Sequence, residues 1–242
     1  MPAHSDAPLL RVERLTKTYA ARRSWPAAPQ PEVQALRGVD LDVHPKQRLA
    51  IVGDSGSGKS TLARCIAGLE QPSSGTIRFA GQDLGDSMIH HRIQMIFQDP
   101  GASLNPRFSV GEALQEPLVI RGASFSRQDT ADRLEQVGLA ATMADRRTTQ
   151  LSGGQKARLA LARALAALKE GQPNILILDE SLSSLDLSIQ AQMINLLVEL
   201  QEPRQLAYIL IAHDLDLVQR WADEIVVMQE GQIVERGAPP HV

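Results

Sequence analysis

The run Gly53-Asp54-Ser55-Gly56-Ser57-Gly58-Lys59-Ser60 fits the spacing G-x-x-x-x-G-K-[ST] and directly follows an apolar run, Leu49-Ala50-Ile51-Val52. Glycines let a backbone turn tightly and bring its N–H groups against phosphate oxygens, and a helix starting near Lys59 adds the positive end of its dipole. In that chemistry Lys59 reaches the β- and γ-phosphates and Ser60 binds Mg²⁺. A glycine-rich turn with no ligand would share the spacing, but the strand-loop-helix context favours a nucleoside triphosphate.

Two further groups of residues extend this chemistry. Asp179-Glu180 follow Ile175-Leu176-Ile177-Leu178, as where a strand delivers one carboxylate toward Mg²⁺ and a second toward an attacking water. Glu180 is the candidate general base. Two acids capping the next helix is the competing reading, although adjacent carboxylates at a buried strand end are unfavourable without a cation. Leu151-Ser152-Gly153-Gly154-Gln155 leads into a helix expected over 156–168 and presents a second helix N-terminus. Taken alone it is a helix cap; beside the loop and the two acids it becomes a second anion-binding end.

These residues need strands to carry them. Leu49–Val52, Ile175–Leu178 and Leu206–Ile211 are nearly continuous apolar runs, as expected of parallel strands buried on both faces. They end in Gly53, Asp179-Glu180 and Ala212-His213-Asp214, so three strand ends carry polar residues that could converge, and open parallel sheets bind ligands at such ends. Leu9–Tyr19 and Val33–Val43 read as strands separated by a Pro/Ala-rich loop. Helical spacing fills the gaps: Ala191, Ile194 and Val198 share a face of 187–200, and Val110, Leu114 and Leu118 recur every fourth residue within an inserted helical stretch between about 99 and 155. The core is therefore α/β.

Composition narrows the class. With 242 residues and 43% hydrophobic content the chain can bury a sizeable core. A net charge of −3 and pI near 6.1 give no basic footprint for nucleic acid. No apolar stretch is long enough to span a bilayer, and Met1–Asp6 lack a signal-peptide pattern, which places the chain in the cytosol. The single cysteine, Cys65, rules out an internal disulfide or a multi-thiolate cluster and reads as small packing. His90-His91 point in different directions with no third ligand in evidence, so they read as a solvated turn.

Taken together and in this order, the motifs resemble those of the nucleotide-binding subunit of an ABC transporter, along nearly the whole chain. The resemblance implies a P-loop NTPase (RecA-like) core with an N-terminal antiparallel β subdomain and an inserted α-helical subdomain. It implies one domain over 1–242, with 1–98 and 156–242 as catalytic core and 99–155 as helical subdomain ending in the signature. ATP would be held by Gly53, Asp54, Ser55, Gly56, Ser57, Gly58, Lys59, Ser60 and Thr61, with Tyr19 stacking on adenine. Mg²⁺ would be held by Ser60, Gln98 and Asp179, and catalysis would use Glu180, with His213 as the switch histidine and Gln98 as the Q-loop glutamine. Ser152, Gly153, Gly154 and Gln155 would contact the ATP of a partner subunit, and Ser184-Leu185-Asp186 would form the D-loop.

Gln98-Asp99-Pro100-Gly101-Ala102-Ser103-Leu104-Asn105-Pro106-Arg107 resembles the oligopeptide/dipeptide/nickel importer branch. The expected partners are a second ATPase subunit, two transmembrane permeases and, indirectly, an extracytoplasmic binding protein, with the chain peripheral on the cytoplasmic side of the inner membrane. Ser181, where many relatives carry proline or alanine, is a departure. The end at His241-Val242, short of the longer tail of many members, leans the cargo toward nickel or metal–metallophore complexes over long peptides. A soluble non-transport ABC-type ATPase and a catalytically silent subunit are the alternatives.

Overall fold

A computed structural model describes residues 7–20, 32–85, 91–183 and 185–239. The proline-rich stretch over 21–31, His90, Ser184 and His241 lie outside them. In chain order the strands are β1 (Leu10–Tyr19), β2 (Val33–Val43), β3 (Arg48–Val52), β4 (Ser74–Phe79), β5 (Gln82–Asp83), β6 (Ile93–Ile96), β7 (Asn174–Asp179), β8 (Leu206–Ile211), β9 (Glu224–Gln229) and β10 (Gln232–Gly237). The helices are α1 (Lys59–Ile66), α2 (Val110–Ile120), α3 (Arg127–Gln136), α4 (Gly153–Ala167), α5 (Leu187–Arg204) and α6 (Leu215–Trp221). The chain divides into two compact units, one of residues 1–90 and 207–242, the other of 91–206.

In the first unit β1 pairs antiparallel with β2, from Leu10 opposite Val43 to Tyr19 opposite Val33, and on its other edge with β4, which continues to β5. Leu10, Val12, Val39, Leu41 and Val43 are at most 2% exposed while Arg11 and Asp40 face water, the alternation of a sheet with one wet face. β3 lies parallel between β8 and β9, with Ile51 beside Ile211 and Val226, and β9 turns back into β10. Leu49, Ile51, Leu206 and Ile209 are wholly buried, which accounts for their unbroken apolar runs. Each such side chain contributes about 1.5–3 kcal/mol relative to exposure. Tyr208 of β8 meets Trp221 of α6 at 5.6 Å between ring centroids.

In the second unit β6 and β7 form a parallel pair, Ile93 beside Ile175 through Ile96 beside Leu178. α4 packs on β6, and α2 and α3 pack on α4. Val110, Leu114 and Leu118 of α2 are buried, as their spacing predicts. α5 differs from expectation. Its buried stripe is Gln190, Met193, Leu196, Leu197 and Leu200, whereas Ala191 and Val198 are exposed. Apolar residues stand on most of its circumference, so spacing alone does not select the covered face.

The helix starts follow from the sequence. Ser109 with Glu112, Ser126 with Asp129 and Ser152 with Gln155 form capping boxes at α2, α3 and α4, and Asp186 and Asp214 cap α5 and α6. Among the described residues α1 alone has no side-chain cap. None of these helices is long and apolar enough to cross a membrane.

Candidate active site

β3 ends at Val52 and the chain turns at Gly53, whose φ is +145° and where a Cβ would stand 2.1 Å from the Met228 carbonyl oxygen. At the far end of the loop Gly58, with φ +104°, would bring a Cβ within 2.5 Å of the Ala35 carbonyl oxygen. The loop is thus gripped by backbone on two sides, by the end of β9 and by β2. Gly231, in the turn between β9 and β10, adds to the grip: its N–H donates to Ser57 O at 2.9 Å and its carbonyl accepts from Arg37 N at 2.8 Å. Sequence reasoning missed Gly231; the signal was Glu230-Gly231 between two short apolar runs, a turn signature.

Lys59 is 5% exposed, and its Nζ donates to the carbonyls of Gly53 and Asp54, each at 2.8 Å. The ammonium therefore lies across the loop it belongs to, held by neutral acceptors that an anion can replace. Gly58 caps α1 in a left-handed conformation and offers no side chain to it, and the helix dipole favours negative charge there. A tight glycine loop, a bare helix start and an adjacent lysine together make a phosphate cradle.

Gly53 and His213 each stand two residues beyond the Ile51–Ile211 pair of β3 and β8, so the first unit brings the loop and the histidine to adjacent strand ends. Ala212 N donates to Ile51 O, His213 is exposed, and Asp214 begins α6 by accepting from Leu217 N at 3.1 Å. Tyr19, at the end of β1, is 37% exposed.

The second unit does the same for its own candidates. Past the Ile96–Leu178 pair, β6 leads to exposed Gln98 and β7 to Asp179, 5% exposed, and half-buried Glu180. Glu180 has φ +49°, an uncommon conformation for a side-chain-bearing residue, costing on the order of 1–3 kcal/mol. A turn holds it there: the Glu180 carbonyl accepts from Ser183 N at 3.1 Å and Ser183 Oγ at 2.6 Å. Ser183 was not foreseen, because its role depends on the turn conformation rather than on a motif. Ser181 is buried with no hydrogen-bond partner for Oγ.

Ser152 Oγ accepts from Gln155 N at 3.3 Å and Gln155 Oε1 from Ser152 N at 3.0 Å, which makes this turn a helix cap. The side chains cap α4, and the N–H groups of Gly153 and Gly154 open the helix. A Cβ on Gly154 would lie 2.9 Å from Ile189 Cγ2 in the first turn of α5, which Asp186 caps by accepting from Ile189 N at 3.0 Å. Arg158 ties the same two helices by donating to Gln192 Oε1 at 3.0 Å. The Ser152–Gln155 turn and Asp186 therefore share one packed corner.

Cys65 is buried in α1 and burial pushes its thiol up to about 11, which leaves it neutral and unreactive. His91 is exposed, and among the described residues no cluster of three metal-ligating side chains occurs.

An α/β chain with a lysine-tipped phosphate loop, a strand-end carboxylate pair and a second glycine-started helix is a cassette ATPase that binds ATP. It belongs to the ABC transporter family, matching that family over residues 36–183. It is 39% identical to the dipeptide transport ATP-binding protein DppF of Haemophilus influenzae, covering 98% of this chain and 74% of that one. It is 42% identical to the probable D,D-dipeptide transport ATP-binding protein DdpF of Escherichia coli, covering 95% of this chain and 72% of that one. The fold superposes on the dimeric, post-hydrolysis structure of the ATP-binding cassette MJ0796 bound to ADP and Pi, with a TM-score of 0.81 and 26% identity over 96% of this chain and 100% of that one. With cbiO1 from Clostridium perfringens, part of the ABC transporter complex cbiONQ, the TM-score is 0.77 and the identity 29% over 97% of this chain and 90% of that one.

Proposed function

We propose that this ATPase powers import of short peptides through a membrane permease. The observation that carries the nucleotide half is the bare start of α1 over a loop too tightly held for side chains at Gly53 and Gly58. Relatives named for dipeptide transport, similar over almost the whole chain, support the cargo class. The lean toward nickel or metallophores has no such support, and peptides are the cargo we put forward.

The loop N–H groups from Gly53 to Thr61 take the phosphate oxygens, and Lys59 exchanges its two carbonyl partners for the β- and γ-phosphates. Ser60, Asp179 and Gln98 carry oxygen donors of the hard kind that suits Mg²⁺. When bound, Mg²⁺ neutralises charge on the β and γ oxygens. Glu180, its backbone fixed by Ser183, orients and deprotonates the attacking water; His213 and Gln98 steady that water and the γ-phosphate. The signature turn, Ser152 to Gln155, addresses the ATP of a second ATPase subunit, with residues 99–155 acting as the helical arm that carries it, and Asp186 belongs to the D-loop.

In this reading the chain works as one of two ATPase subunits on the cytoplasmic face of the inner membrane, beneath two permeases fed by an extracytoplasmic binding protein. A Glu180→Gln chain held in ATP and purified from mild-detergent membranes is expected to bring two multi-span membrane proteins and a second ATPase chain, identified by mass spectrometry. Deleting this chain is expected to abolish dipeptide uptake. A soluble non-transport role requires instead that only soluble partners appear and that uptake is unchanged.

A further inference from the structure

Tyr19 ends β1, and the first unit holds its ring from several directions. Lys17 lies two residues back on the same face of the strand and sets Nζ 5.1 Å from the ring centroid, within reach of a cation–π interaction. The phenol donates to the Glu70 carboxylate, just past α1. Glu70 is in turn 3.8 Å from Lys17 Nζ and 3.7 Å from Arg64 Nη1, and Lys17 donates to Gln71 O at 2.7 Å. The Lys17 and Glu70 side chains are 17% and 22% exposed, more withdrawn from water than a free surface pair. Burial, then the Glu70 bond, raises the Tyr19 pKa, so the phenol stays a donor at neutral pH.

We propose that Lys17 and Glu70 are positioning residues for the nucleotide base: they fix the Tyr19 ring, cation on one face, so that its open face stacks on the purine of the triphosphate held at Gly53–Ser60. This rests on the reading of that loop as the triphosphate site and of Tyr19 as the base platform. Three features support the clamp. A ring fixed before the ligand arrives loses little rotamer freedom on binding. An ammonium on the far face draws electron density from the ring and favours stacking on an electron-rich base. The bond to Glu70 couples the ring to the segment that directly follows α1, the helix whose N-terminus faces the phosphates, so base and phosphate sites keep one spacing. A surface ion pair of no consequence would require neither the shared phenol nor the ring contact.

The test is calorimetric titration of the full chain with MgATP and with magnesium tripolyphosphate, which carries the phosphates without the base. Tyr19→Ala is expected to weaken ATP about tenfold, the scale of one base–aromatic stack. Lys17→Met and Glu70→Gln are each expected to weaken ATP about threefold, with tripolyphosphate affinity unchanged in all three variants. Lys59→Ala, as control, loses both ligands. If Lys17→Met and Glu70→Gln bind ATP like the wild type while Tyr19→Ala does not, the clamp is wrong and the platform stands. If Tyr19→Ala itself binds ATP normally, the platform falls with it. Parallel weakening of ATP and tripolyphosphate would assign these side chains to the folding of the loop and overturn the proposal.

Discussion

At the residue scale the loop depends on what cannot be added to it. A Cβ at Gly53 would collide with the Met228 carbonyl at 2.1 Å, whereas at Gly56, φ +81°, it meets nothing within 4 Å. Gly53→Ala is therefore expected to cost on the order of 3 kcal/mol of stability and most ATP affinity. Gly56→Ala is expected to cost about 1–2 kcal/mol, the strain of the left-handed conformation alone. Urea unfolding of the two variants checks the order; equal losses would show that Met228 yields and that the collision does not matter. The glycine spacing, Lys59, Ser60 and the acid pair after a buried run were legible because they are contiguous. Gly231 and Ser183 were not, since one acts across a hairpin turn and the other through a backbone conformation at Glu180 that no pattern encodes.

At the element scale the helix starts were readable and the covered faces less so. Ser152 and Asp186 announce α4 and α5 by type and position, but the face α5 buries is set by its neighbours. β4, β9 and β10 lie outside the sequence expectation although Thr76-Ile77-Arg78-Phe79 alternates as a strand should; such short strands carry little signal each. The corner where α4 meets α5 yields a prediction of its own. Gly154→Ala places a methyl 2.9 Å from Ile189 Cγ2 and is expected to displace the signature turn, lowering ATP turnover at least tenfold while leaving ATP binding by the chain's own loop intact. Adding Ile189→Ala makes room and is expected to restore most of the turnover, measured as phosphate release. A double variant as inactive as the single one would mean that Gly154 matters for its backbone approach to phosphate rather than for its place on α5.

At the scale of the whole molecule, membership of the ABC transporter family follows from a likeness that spans the chain, and the order of its motifs along the sequence already pointed there. Composition offered no basic footprint for nucleic acid and gave no indication of cargo. Glu180 is the proposed base of an ATP hydrolysis reaction coupled to transport. The most direct measurement is the steady-state rate of phosphate release by the membrane assembly purified with this chain, wild type against Glu180→Gln, alongside retained ATP. A fall of at least a hundredfold is expected, as loss of a general base entails, with ATP still bound in the variant. Turnover at the wild-type rate in Glu180→Gln would contradict it.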